Sequence, residues 1–214
     1  MRLPLCLSLL GLAACSNSSL TNFEGEVAMK TTRPNAQPTV MTIKAKGDNL
    51  RIEIPGPDGK TASAIYSSQQ NKMTVLVDDQ KMAMDMDLGA PGAPQPNTDS
   101  RTSAVEKTGK KETIAGVTCE DWVVKDPSGS RTETCVAQGL PYLDLEALRR
   151  GGGSSWSRDM RANKTFPLRS VEYNPSGAEV SRAEVTAVTK EKLDDALFQV
   201  PADYKRIAAP QLRH

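Results

Sequence analysis

"FEGEVAMK", residues 23–30, carries the pattern that decides the fold. Phe23, Gly25, Val27 and Met29 alternate with Glu24, Glu26, Ala28 and Lys30. Successive side chains of an extended chain point to opposite faces, so a period of two with one greasy face and one wet face describes a half-buried strand. The rhythm returns at Met41, Ile43 and Ala45, at Leu50, Ile52 and Ile54, and at Met73, Val75 and Val77. It returns once more at Met82, Met84, Met86 and Leu88 against Ala83, Asp85 and Asp87.

Short turn-forming stretches separate these strands: "GDN" at 47–49, "PGPDG" at 55–59 and "QQN" at 69–71. Links this short join antiparallel hairpins, because a parallel crossover needs a dozen residues or more. Two later turns nearly repeat each other, Asp126-Pro127-Ser128-Gly129 and Asn174-Pro175-Ser176-Gly177. Asp or Asn first, Pro second and Gly fourth is the preferred order of a type I turn. Each predicts a hairpin, "CEDWVVK" with "RTETCVA" and "PLRSVEY" with "AEVSRAEVTAV". The class is mainly β.

Helical signals are sparse. "LPYLDLEALRR", 140–150, has Leu145 and Leu148 three apart, Pro141 early and Arg149 and Arg150 late, which predicts a short helix. "KEKLDDALFQVPADYKRI" places Leu193, Leu197 and Phe198 ahead of Pro201, a helical turn followed by an extended tail. "GAPGAPQPNTDS", 89–100, has no period and is read as a loop, as is the Gly151-Gly152-Gly153 run, which lacks the lysine of a phosphate-binding loop.

The chain has 214 residues, and its 27 Lys and Arg stand against 26 Asp and Glu. Only Arg2 of these falls among the first fourteen residues, so the remainder is balanced, which gives no basic surface for nucleic acid. A 38% hydrophobic content supports one core, and with 4% aromatics that core must be aliphatic and Met-rich.

Leu3 to Leu10 is apolar but shorter than the roughly 20 residues that span a bilayer, so residues 1–14 are read as a signal peptide. Leu12-Ala13-Ala14-Cys15 looks like a lipobox: small residues admit the peptidase, and the thiol is the group that takes the diacylglycerol thioether. The alternative is a plain secretory leader with an incidental cysteine. Position, small residues and the polar "SNSS" tether together favour the lipobox, with residues 15–22 as lipidated tether, 23–207 as one domain and 208–214 as tail. Two or three acyl chains on Cys15 make a lasting membrane anchor. Ser16, where an aspartate would retain the protein at the inner membrane, favours the periplasmic side of the outer membrane.

With Cys6 in the leader and Cys15 lipidated, Cys119 and Cys135 remain, on strands that the "DPSG" turn folds together. Opposed or diagonal placement in an exported protein predicts a disulfide. A metal site or redox pair would show CxxC spacing or a histidine, and neither accompanies them.

Catalytic apparatus is hard to assemble. The sole histidine is His214 at the terminus. Asp78-Asp79 and the Asp85/Asp87 pair are read as solubilising an amphipathic strand, and Asp194-Asp195 as opening a helical turn. Met82, Met84 and Met86 share one face; three thioethers suit Cu(I), but core packing or the wall of a cavity for an apolar ligand is the preferred reading. No metal, cofactor or enzymatic activity is therefore expected.

The segments "FEGEVAMK", "KMTVLVDDQKMAMDMDL", "TGKKETIAGVTCEDWVVKDPSGSRTETCVAQGL", "FPLRSVEY" and "LDDALFQVPADYK" resemble a family of bacterial lipoproteins known as domain of unknown function 4412. The ending "LFQVPADYK" is similar, more loosely, to periplasmic lipoprotein carriers and outer-membrane lipoprotein-sorting proteins. That wider resemblance implies a curved antiparallel sheet or half-open β-barrel with one or two short helices on its concave side, of the kind that holds acyl chains. It implies no catalytic residues. The expected function is a membrane-anchored envelope lipoprotein binding an apolar or lipid-like ligand, the alternative being a structural or protein-interaction lipoprotein with a closed, dry core.

Overall fold

The computed structural model describes residues 23–56, 58–67, 70, 72–87, 103–141, 160 and 163–208. The expected leader, the tether with Cys15, the loop at 89–100, nearly all of the helix at 140–150, the Gly151–Gly153 run and His214 lie outside the described residues. Twelve strands form one sheet: β1 Glu24–Thr32, β2 Thr39–Lys46, β3 Asn49–Pro55, β4 Thr61–Ser67, β5 Lys72–Val77, β6 Met82–Asp87, β7 Ala104–Ile114, β8 Val117–Lys125, β9 Arg131–Gln138, β10 Thr165–Tyr173, β11 Glu179–Lys190 and β12 Lys205–Ala208. Their spatial order is β12-β6-β5-β4-β3-β2-β1-β11-β10-β9-β8-β7, so two meanders join where β1 meets β11, and the sheet does not close.

Alternation sets the register. Val27 faces Ile43, which faces Ile52, which faces Ala64, which faces Val75, which faces Met84. These residues line one face. In the other direction Val27 stands opposite Val188. The main core joins Leu50 and Ile52 of β3 to Ile114 of β7, with Val27, Ile43, Leu168, Phe166 and Val185 among the residues between. Each strand from β3 to β7 in this order contributes to that core, so it runs along one face of the sheet without a break. A twisted open sheet of twelve strands curls, and the face that carries the continuous core is its concave side.

Gly25 belongs to the wet-and-greasy alternation of β1 yet has no side chain for a reason: at φ +148 a Cβ there would strike the Thr189 carbonyl of β11. The seam between the two meanders runs past this point.

Both repeated turns close the hairpins the sequence predicts, β8 to β9 and β10 to β11. Three strands carry no clear alternation in the sequence, one of them the four-residue β12. β4, "TASAIYS", is built of small residues, and β7, "AVEKTGKKETI", is a charged edge strand interrupted between Lys107 and Lys111. Lysines and irregularities on an edge discourage unwanted strand pairing.

The C-terminal segment behaves as a strap. It crosses the convex face, where Leu193 donates its N–H to Glu24, Lys46 Nζ donates to the Leu193 carbonyl, and Arg51 reaches the Leu197 carbonyl at 3.3 Å. The helical turn expected near Leu193–Phe198 is a single 3-10 turn, Asp195–Phe198, capped by the Asp194 side chain accepting from Ala196 N–H. Where the sequence expectation puts short helices on the concave side, this turn lies on the outer face, because Arg51 projects there to its Leu197 carbonyl and Lys46 to the Leu193 carbonyl just ahead of it. Farther along, Val200 and Tyr204 cover Ile65, Leu76 and Ala83. The tail then adds β12 parallel to β6, the one parallel pair among the described strands.

Candidate functional site

Three features could do chemistry, and the apolar wing comes first. On β4, β5, β6 and β12 the concave face presents Ala64, Val75, Met84 and Ile207 in one cross-strand row, with Met73 opposite Met86 and Val77 opposite Met82 alongside. Val75, Met82, Met84, Met86 and Ile207 are half-buried, whereas Val27 and Ile43 on the same face are fully enclosed. No charged side chain stands among the described wing residues of β4 to β6 on this face. Met82, Met84 and Met86 are thus brought onto the face that is continuous with the core, joined by Met73 from the neighbouring strand.

The face behind them differs from expectation. Asp85 does not simply keep an exposed strand soluble, for its neighbour Ala83 is fully buried under the strap. Asp85 accepts hydrogen bonds from Lys72 Nζ at 2.9 Å, Thr74 Oγ1 at 2.7 Å and Arg206 at 2.8 Å, tying β5, β6 and β12 together. Desolvation pushes its carboxyl up, but those three donors outweigh it and hold the group at about 2. Asp78 likewise has a role, accepting from the Tyr204 hydroxyl at 2.6 Å; that bond, with desolvation, raises the phenol to about 12.

The second feature is the bonded pair Cys119–Cys135, with Cα atoms 5.4 Å apart. Asp121 stands opposite Cys135 and Glu112 opposite Cys119, so the cysteines are diagonal on one face with an acid beside each. Arg169, re-aimed by a register shift between Pro167 and Arg169, reaches over β9 to both acids: Nη1 lies 2.9 Å from Glu112, Nη2 also bonds Glu112, and Nη2 is 3.3 Å from Asp121. The guanidinium holds the Glu112 carboxyl below the usual range against desolvation, while burial and then the neighbouring Glu112 raise that of Asp121. Glu112 with the two sulfurs is the closest approach to a metal-ligand group among the described residues. With both sulfurs oxidised to a disulfide only the carboxylate is left to donate, which does not make a metal site. Sequence reading singles out neither Arg169 nor Glu112; the signal is the pairing of each cysteine with an acid, visible only once the register is fixed.

The third is a cleft of about 330 Å³ between the two repeated turns, with Lys125, Arg131 and Tyr173 on its floor. Lys125 faces Arg131 and Arg131 faces Tyr173 across adjacent strands.

The family model described as Domain of unknown function (DUF4412) matches residues 23–204, and the chain belongs to this family. No curated protein matches the sequence. Among solved structures, an uncharacterized conserved protein from Thermus thermophilus superposes with a TM-score of 0.55 at 9% identity, over 89% of this chain and 93% of that one. The MucA/MucB complex of Pseudomonas aeruginosa gives 0.53 at 13% identity, over 89% of this chain and 60% of that one. MucB in complex with MucA(peri) gives 0.50 at 14% identity, over 86% and 56%. The chain therefore spans less than two thirds of the MucB chains it matches. At these identities the likeness is one of fold. The disulfide itself indicates an oxidising compartment. No helix among the described residues is long and apolar enough to cross a membrane.

Proposed function

We propose that this protein is a cell-envelope binding module, lipid-anchored through Cys15 after removal of residues 1–14, whose concave wing receives an apolar or lipid-like ligand. The observation that carries the reading is the row Ala64, Val75, Met84 and Ile207. It continues the enclosed core face outward, only half-covered across four strands and uncharged from β4 to β6, with Lys205 beside Met82 at the β12 edge. Apolar surface of that extent is stabilised by whatever removes it from water, and flexible methionine side chains adapt to chains of varied shape. Residues 15–22 serve as tether and 23–207 as one domain, with the outer membrane as its site. The module binds rather than transforms its ligand, since no nucleophile and base stand together among the described residues of the wing.

The test is native mass spectrometry of the protein purified in detergent, together with titration by a fluorescent fatty acid. Copurifying lipid and saturable uptake, lost when Met84 is replaced by Lys, are expected; clean apo protein and no uptake reject the reading. Incorporation of labelled palmitate that disappears in Cys15→Ser tests the anchor separately.

A second reading is a protein-interaction module, prompted by the fold neighbour MucB being solved together with MucA. Crosslinking in intact envelopes separates the two: a stoichiometric protein partner with no bound lipid favours it.

A further inference from the structure

The cleft between the two repeated turns has walls whose backbone is locked by hydrogen bonds within each turn. Gly129 and Gly177 take the left-handed conformations their turns need, at φ +89 and +83. Gly129 packs so closely on Pro175 that a Cβ there would lie 3.3 Å from the proline ring. Each turn is locked by its first residue. Asp126 accepts from the Ser128 N–H at 2.8 Å and lies 3.4 Å from the Ser103 hydroxyl. The Asn174 side-chain oxygen Oδ1 accepts from the N–H groups of Ser176 and Ala178 and from the Ser176 hydroxyl. On the floor the Arg131 guanidinium lies over the Tyr173 ring, 4.5 Å from its centroid, which fixes its plane.

Locking the turns engages the side-chain oxygens of Asp126 and Asn174 and leaves several donors over. Among the described residues the Asn174 side-chain amide N–H groups are not engaged by the turn, and the Tyr173 hydroxyl has the Arg182 guanidinium within electrostatic reach. The Ser130 hydroxyl accepts from Ser128 and still has its own proton to give. Arg131 spends one nitrogen on Glu133 at 3.2 Å, and Lys125 is shared with Glu106 at 3.1 Å, both in exposed pairs of little strength. A cleft of about 330 Å³ with two cations and three neutral donors, in which the one carboxylate of the lining, Asp126, is turned to Ser128 and Ser103, suits a ligand made of acceptors.

We propose that this cleft is a binding site for a phosphate group, with Arg131 and Lys125 opposing its charge and Ser130, Tyr173 and Asn174 donating to its oxygens. A tetrahedral phosphate offers acceptors in several directions and so can use donors arranged around it, which a planar carboxylate cannot. The site lies at the turn tips and does not depend on the apolar wing. The phosphate can belong to a lipid headgroup or to a soluble ion or ester.

The experiment titrates inorganic phosphate into the full-length protein in a phosphate-free, non-ionic detergent and follows the amide resonances of Gly129, Ser130, Arg131 and Gly177. Saturable shifts confined to these residues are expected, with affinity falling at least tenfold in Arg131→Gln and several-fold in Tyr173→Phe. An absence of saturable shifts, an unchanged affinity in Arg131→Gln, or equal affinity for acetate would overturn the proposal. Vesicles of phosphatidylglycerol identify the source. Vesicles that compete with phosphate for the same resonances assign a headgroup, and vesicles that leave the phosphate titration unchanged assign a soluble phosphate. Thermal melts of both variants identify any that misfold, and Lys125→Gln then provides an independent loss of affinity.

Discussion

The enclosed region around β1–β3 and β7–β11 and the wing of β4–β6 and β12 are parts of one sheet, built with the same alternation, yet they are covered in opposite ways. In the enclosed region the concave face carries one continuous core, and Val27, Ile43 and Leu168 are out of water. In the wing the convex face is the better covered, by the strap over Ile65, Leu76 and Ala83, while Val75 and Met84 on the concave face are half-open. Amphipathic alternation therefore says which side chains share a face and leaves open what that face will meet.

Truncation should separate the regions most sharply. Leu168→Ala, in a site with no exposure, is expected to cost about 4 kcal/mol, since a closed core cannot collapse around the lost methyl groups. Urea unfolding measures it, and a loss below that of any wing variant would undo the comparison. Next comes the disulfide. Replacing Cys119 and Cys135 by Ala frees a loop with a sequence separation of 16 and should cost about 3 kcal/mol, seen in the same unfolding curves.

Smaller effects belong to the wing. The Asp85 carboxyl sits at about 2, below its ordinary 3.8. A depressed folded-state value means that its contribution is complete above the ordinary value and drains away as pH falls through the range from 3.8 to about 2. Asp85→Asn should therefore lose about 1 kcal/mol at neutral pH, after allowance for solvent screening, and flatten the acid limb of the stability curve. Met84→Ala should cost less than about 1 kcal/mol in the free protein, because half-covered surface gives up little on truncation. A loss matching Leu168→Ala would show the wing to be as closed as the core.

The strands with strong alternation, the two Asx-Pro-Ser-Gly hairpins and the cysteine pairing were legible in the sequence because each rests on neighbours in the chain. Strand β4 was not, since Ala62, Ser63 and Ala64 are too small to contrast the two faces. Strand β12 was not, since so short a segment leaves no period. The polar face of β6 looked solvent-exposed because the segment that covers it lies far along the chain. Arg169 with Glu112 and Asp121 depends on a bulge, which reverses the parity a reader of sequence would count on. The phosphate cleft left a partial trace: Lys125 and Arg131 flank one repeated turn, and Tyr173 flanks the other.

The strap has a bearing on how the molecule is made. Val27 must wait for Val188, and the back of the wing stays bare until Val200 and Tyr204 emerge. A polypeptide that emerges amino end first can thus complete neither half of its architecture before nearly all of it is available. Pairings between segments so far apart in the chain form late, and the strap closes the wing last.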